Sequence, residues 1–178
     1  VSREARSRYQ RGGVPEYDVV EPGFKYNMMD IQAAIGIHQL AKLDDFNARR
    51  RELAERYADL LAPVPAIDPL GFVPYPAVHA WHLYIVRLDL DAVTLSRGEF
   101  MQALQAENIG TGLHFPALDL STYYHERRGY RRGDLPHTER ASERIFSLPL
   151  YPLLTEDDQD DVVDAIQRVA AQHRRSGA

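Results

Sequence analysis

The 178-residue chain has no cysteine. Disulfides, thiolate zinc sites and cysteine nucleophiles are therefore excluded. Lysine is almost missing as well. Lys25 and Lys42 are the only two, so 19 of the 21 basic residues are arginines. Trp81 is the sole tryptophan. No apolar run approaches the ~18 residues of a membrane-spanning helix. The opening Val1-Ser-Arg-Glu-Ala-Arg-Ser-Arg is charged and lacks the apolar stretch of a signal peptide. It also lacks an initiator Met, which fits a piece of a longer chain. What is present is ordinary for a globular protein: 44% apolar and 26% charged residues, a balance that argues against wholesale disorder. Asp and Glu number 26 against 21 Lys and Arg, a formal net charge of -5. General nucleic-acid binders carry the opposite sign. The expectation is a soluble, cytoplasmic protein with neither a nucleic-acid nor a membrane partner.

Three regions are expected: an arm over 1–29, a long helix over 30–61 and a small α/β domain over 62–178. The first holds Gly12-Gly13, Pro15 and Pro22-Gly23, all strong turn signals. An irregular start of this length suggests a functional or partner-held segment. Asp30 is the expected N-cap of the helix. Unbroken, that helix would run ~48 Å at 1.5 Å per residue. The expectation is one kinked helix or two in series, with Asp44–Asn47 the weak point and Arg49-Arg50-Arg51 on the wet side. Pro63, Pro65, Pro69, Pro74 and Pro76 mark an extended connector with room for one short strand.

Beyond the connector, His82–Leu88 alternates and reads as a strand, with Tyr84, Val86 and Leu88 on one side. Ser96-Arg-Gly-Glu99 and Thr155-Glu-Asp-Asp158 are capping-box patterns that open helices. Ile109–Phe115 reads as a second strand and 121–134 as a mobile loop. A helix from about Leu135 or Thr138 to Ile145 and a strand over Ser147–Tyr151 follow. The tail is expected to fray from His173. A small lobe with a few strands and helices on one face fits this order.

Few residues carry chemistry on their own. Gly23-Phe24-Lys25-Tyr26-Asn27 stands just before a helix N-terminus. Backbone amides there, with an Asn amide and a Lys ammonium, suit a phosphate; a turn with a solvated Lys is the plain alternative. His79-Ala-Trp-His82 offers two imidazoles but no evident third metal ligand, so packing at a strand edge competes with binding and no metal site is expected. His114 closes a strand beside Phe115-Pro116, a common place for ligand contacts and also for a merely packed imidazole. The arginines of 127–132 with Tyr123, Tyr124 and Tyr130 suit an anion, or simply a solvated loop.

Four ordered stretches carry a resemblance. They are Phe24-Lys-Tyr-Asn-Met-Met-Asp-Ile-Gln-Ala-Ala-Ile-Gly-Ile-His-Gln-Leu40, His82-Leu-Tyr-Ile-Val-Arg87, Asn108-Ile-Gly-Thr-Gly-Leu-His-Phe-Pro116 and Ser147-Leu-Pro-Leu-Tyr-Pro152. Together they resemble the sugar aminotransferases of the DegT/DnrJ/StrS family over nearly the whole chain. The Lys-Tyr-Asn form and Gly-Thr-Gly-Leu-His-Phe resemble the branch that makes UDP-4-amino-4-deoxy-L-arabinose.

The resemblance implies the C-terminal part of a fold-type I enzyme dependent on pyridoxal 5'-phosphate (PLP): an extended arm, a long helix and a small α/β lobe. It implies a homodimer whose active sites share PLP across the interface. The reaction implied moves an amino group from glutamate to a nucleotide-linked keto-sugar, as in cell-envelope or secondary-metabolite sugar biosynthesis. Asn27, with Lys25 and Tyr26, would contact the cofactor phosphate on the partner. His114 and Phe115 would lie near the sugar nucleotide. The Schiff-base lysine of the family falls on no position of this sequence, so no residue here is assigned a catalytic role. The chain alone is expected to be inactive. A non-catalytic nucleotide-sugar or protein-binding module is the alternative.

Overall fold

A computed structural model describes residues 22, 24, 26–71 and 73–175. The arm up to residue 21 and Lys25 lie outside the described residues. The chain divides into two compact units between Lys42 and Leu43. This boundary falls inside the 30–61 stretch, which is two helices in series, one of the two forms expected.

In the first unit, α1 spans Asp30–Leu40. Its N-cap is Met29 rather than Asp30, and the Met29 N–H donates to the Gln32 side chain at 3.0 Å. Asp30 takes the first helical position, where its charge favours the positive end of the helix dipole. No residue of α1 is buried. The helix closes with Ala41 N–H on the Ile37 carbonyl and Lys42 N–H on that of Gln39.

The second unit begins with α2, Leu43–Leu61. The chain therefore breaks at 41–42, not at Asp44–Asn47. The physical reason is in the charges: Asp44 and Asp45 form the acidic first turn of a new helix, the place a dipole prefers them. Three antiparallel strands follow, β1 (Ile67–Pro69), β2 (Tyr84–Leu88) and β3 (Ile145–Leu148), in the order β1-β2-β3. Ile67 pairs with Leu88, Tyr84 with Leu148 and Val86 with Phe146. The expected alternation holds: Tyr84, Val86 and Leu88 are buried, while Arg87 is exposed and ion-paired to Asp68.

Helices α3 (Arg97–Ala106) and α6 (Glu156–Gln172) pack with α2 on this sheet. Leu53, Tyr57, Phe100, Leu104, Phe146 and Ile166 have no appreciable exposure and make one core with the strand residues. Val162, Val163, Ile166 and Val169 supply the buried face of α6, as their spacing predicts. Burial pushes the Tyr84 phenol up to about 12. Tyr57 moves in the same direction for the same reason, its hydroxyl donating to the Pro149 carbonyl. Both are neutral packing groups at ordinary pH.

Several expectations are corrected. Ile109–Phe115 is not a strand: it meets the sheet only where Gly112 bridges Ser147. The segment 121–134 is not all loop, since it contains α4, Thr122–Arg128, ended by Gly129 at φ +78°. The next helix, α5, runs Pro136–Ser142, and β3 starts at Ile145 and stops before Pro149. A proline has no N–H to continue a ladder. Residues 173–175 are held rather than frayed, for the Thr94 N–H bonds the His173 carbonyl and the Arg175 N–H that of Ala92; the last three residues lie outside the described ones. Arg49 and Arg50 are not simply solvated. Arg49 donates to the Leu154 carbonyl, and Arg50 Nη1 reaches the carbonyls of Trp81, His82 and Leu150 at 3.0, 3.2 and 3.3 Å.

Both capping boxes form. Asp158 accepts from Thr155 Oγ1 at 2.6 Å and from its N–H at 3.0 Å, and Glu99 does the same for Ser96. These bonds hold both carboxyls below their usual range. In the unfolded chain each titrates at its ordinary value. The stability they add is therefore complete above that value and is lost as pH falls through the folded one. Thr155→Ala should lower the urea midpoint at pH 7, by much less at acid pH. An equal loss at both would show that the box is not the source.

Candidate functional site

The only described strand-like contact of 109–115 builds the centre of the site. Ser147 lies in β3, and its backbone faces Gly112 on the side away from β2. The Ser147 N–H donates to the Gly112 carbonyl at 2.8 Å, and the Gly112 N–H to the Ser147 carbonyl at 3.0 Å. Two residues later His114 turns its ring back over this bridge. His114 Nδ1 lies 2.7 Å from Ser147 Oγ. A Cβ on Gly112 would stand 2.5 Å from His114 Cε1 and 2.9 Å from Ser147 Oγ. Glycine is required here by space, because no side chain fits under the imidazole.

Phe115 is exposed and meets the His114 ring edge-on, with centroids 5.1 Å apart. Beside it lies a cleft of about 720 Å³ whose lining includes Pro116, Asp119, Tyr124, Tyr130 and His137. Ser142, also on this lining, accepts the Ala117 N–H at 2.8 Å and ties the 117–142 segment to itself. Asp119 is buried there, and its Oδ2 has no hydrogen-bond partner. The arginine run is partly consumed by local structure. Arg131 Nη1 donates to the carbonyls of Gly129 and Tyr130, and Arg132 pairs with Glu143 at 2.7 Å. Glu139, also buried, accepts the Gly133 N–H at 2.7 Å.

His79 and Trp81 pack against each other, His79 Nδ1 accepting the Trp81 N–H at 2.8 Å. Trp81 stacks on Tyr84, and Tyr84 meets Tyr57 at a tilt, with ring centroids 5.0 Å apart. Among the described residues no group of His, Asp or Glu could hold a metal ion. No helix among them is long and apolar enough to cross a membrane.

The profile of the DegT/DnrJ/EryC1/StrS aminotransferase family matches residues 2–167. The chain belongs to that family. Solved structures agree. DesV of S. venezuelae is 30% identical with a TM-score of 0.76, over 94% of this chain and 43% of its own. Spr1654 from Streptococcus pneumoniae, in its PLP form, is 28% identical with a TM-score of 0.79, over 95% of this chain and 42% of its own. The aminotransferase TlmJ from Streptoalloteichus hindustanus is 29% identical with a TM-score of 0.72, over 95% and 43%. The chain thus spans less than half the length of the solved structures it matches.

Of the residues picked out by sequence, Tyr26 and Asn27 lie in the first unit, both exposed, with Tyr26 against Phe24 at 5.6 Å between ring centroids. Lys25 lies outside the described residues. His114 and Phe115 lie in the second unit, side by side. The second unit contains no lysine at all, and Lys42 is exposed at the turn after α1. Tyr26 and Asn27 are open to solvent, and the second unit offers no amine to hold PLP covalently. No step of amino transfer is assigned to any described residue.

Sequence reasoning missed Ser147, Arg50 and Asp119. Ser147 was within reach, since it opens the quoted Ser-Leu-Pro-Leu-Tyr-Pro stretch. Arg50 carried no signal beyond a charge run. Gly112→Ala should destabilise the fold by about 1–3 kcal/mol through overpacking against His114. Urea denaturation measures this, and an unchanged midpoint would mean the imidazole does not pack there.

Proposed function

We propose that this chain is the C-terminal portion of a PLP-dependent aminotransferase that passes an amino group from glutamate to a nucleotide-linked keto-sugar. The observation that carries the reading is the joint one: 94–95% of the chain is covered by family structures at 28–30% identity, yet it covers only 42–43% of theirs. The UDP-4-keto-pentose branch is the sugar substrate favoured by the Lys25-Tyr26-Asn27 and Gly110–Phe115 stretches. When bound, PLP supplies the electron sink for the transfer.

This chain's own residues bind and orient. Asn27 donates its amide to the cofactor phosphate, assisted by Lys25 and Tyr26. A short segment running into a helix N-terminus suits such an anion. His114 and Phe115 border the nucleotide-sugar. The division of domains into arm, interlobe helix and small lobe belongs to the same proposal, as do a cytoplasmic location and a homodimer in which the arm serves the partner's cofactor. Support for a covering partner comes from Met28, Met29, Ile31, Ile35, Ile37 and Leu40, all exposed on α1 or just before it. Ile31 and Ile35 lie on one side of α1 and Ile37 and Leu40 on the other, and a helix that is apolar all round is normally buried.

The test has two arms. The 178-residue chain incubated with PLP and glutamate should release no 2-oxoglutarate, because the second unit has no lysine to hold the cofactor covalently. Release would overturn the assignment of catalysis elsewhere. In the enzyme that contains these residues, Asn27→Ala should weaken PLP binding about tenfold, the loss expected for one charge-assisted hydrogen bond. Unchanged affinity would remove Asn27 from the cofactor site and favour a binding module. Sedimentation of the isolated chain should show self-association through the exposed apolar residues of α1. A monomer at high concentration would count against them as an interface.

A further inference from the structure

The contacts at Ser147 fix where one proton lies. Ser147 Oγ is 2.7 Å from His114 Nδ1 and 3.2 Å from the Gly112 carbonyl oxygen. A serine hydroxyl has a single hydrogen to give. Were it given to His114 Nδ1, a lone pair of Oγ would face the Gly112 carbonyl, acceptor against acceptor. Given to the Gly112 carbonyl, it leaves Oγ free to accept, and His114 Nδ1 must then carry the proton. Only this second arrangement makes both contacts attractive.

We infer that Ser147 is a positioning residue that holds His114 as its Nδ1–H tautomer and leaves Nε2 as an acceptor for an O–H or N–H of the substrate. Which imidazole nitrogen is protonated is set by the bond the other nitrogen makes. The surroundings leave Ser147 little freedom. It is 4% exposed, its N–H and carbonyl are both bound to Gly112, and β2 holds it opposite Ile85. The imidazole is confined as well, by the missing Cβ of Gly112 beneath it and by the Phe115 ring at its edge.

The chemistry of the ligand group follows. A lone pair on Nε2 accepts from an O–H or N–H and repels a phosphate oxygen. The group facing His114 is thus an O–H or N–H of the nucleotide-sugar, not an oxygen of the diphosphate. That last step rests on the proposed reading of His114 as a substrate contact; the tautomer does not.

Long-range proton–nitrogen NMR on the chain with labelled histidine reads the tautomer directly. His114→Gln identifies the resonance. In its neutral form, His114 should show a protonated Nδ1 and a bare Nε2. Ser147→Ala should move it toward the other tautomer, while Ser147→Thr, which keeps the hydroxyl, should retain it. A protonated Nε2 in the unsubstituted chain overturns the inference, and this measurement needs no variant of Ser147 to fold. In the enzyme that contains these residues, Ser147→Ala should raise KM for the keto-sugar nucleotide about tenfold with kcat little changed. If the tautomer is as stated but neither Ser147→Ala nor His114→Ala moves KM, the substrate reading of His114 falls while the tautomer stands.

Discussion

The antiparallel bridge between Gly112 and Ser147 is the constraint on which the site depends. One residue of β3 serves two masters: opposite Ile85 it belongs to the sheet, and through its N–H and carbonyl it captures a segment that never becomes a strand. Because the captured residue is a glycine, there is space for an imidazole where a side chain would stand. The sheet thereby hands its rigidity to a histidine two residues further on. Sites placed on regular elements are held more precisely than those on free loops, and this one borrows that precision through a single pair of backbone bonds.

Arg50 makes a second link of this kind. Its guanidinium gathers the carbonyls of Trp81, His82 and Leu150, joining α2 to the entry of β2 and to the chain leaving β3. Buried or half-buried carbonyls need donors, and a loop that supplies none of its own must find one elsewhere. One arginine here meets the need of two connectors. Next to it Tyr57 caps the Pro149 carbonyl, so the turn after β3 is held from the helix side throughout.

The sequence was most legible where a local pattern and the tertiary fold demand the same thing. The alternation of Tyr84, Val86 and Leu88, the buried face of α6 and both capping boxes follow from period and cap chemistry alone. It was least legible where one contact decides. Ile109–Phe115 has the composition of a strand, yet only Gly112 reaches the sheet. Asp44–Asn47 reads as the weak point of a long helix, whereas Asp44 and Asp45 form the acidic first turn of a new one. For the site, the family motifs directed attention to His114 and Phe115, which do lie together. They could not show what holds the imidazole, since Ser147 is thirty-three residues away and no short-range rule connects the two.

The distribution of lysine has a consequence for anyone who labels or cross-links the protein. From Leu43 onward the chain has no primary amine. Within this sequence, amine-reactive dyes and cross-linkers therefore find side-chain amines only at Lys25 and Lys42, both in the first unit. The small lobe stays chemically untouched. A cross-link made at these lysines then reports on the first unit alone, which makes the reagent a regional probe without a single substitution.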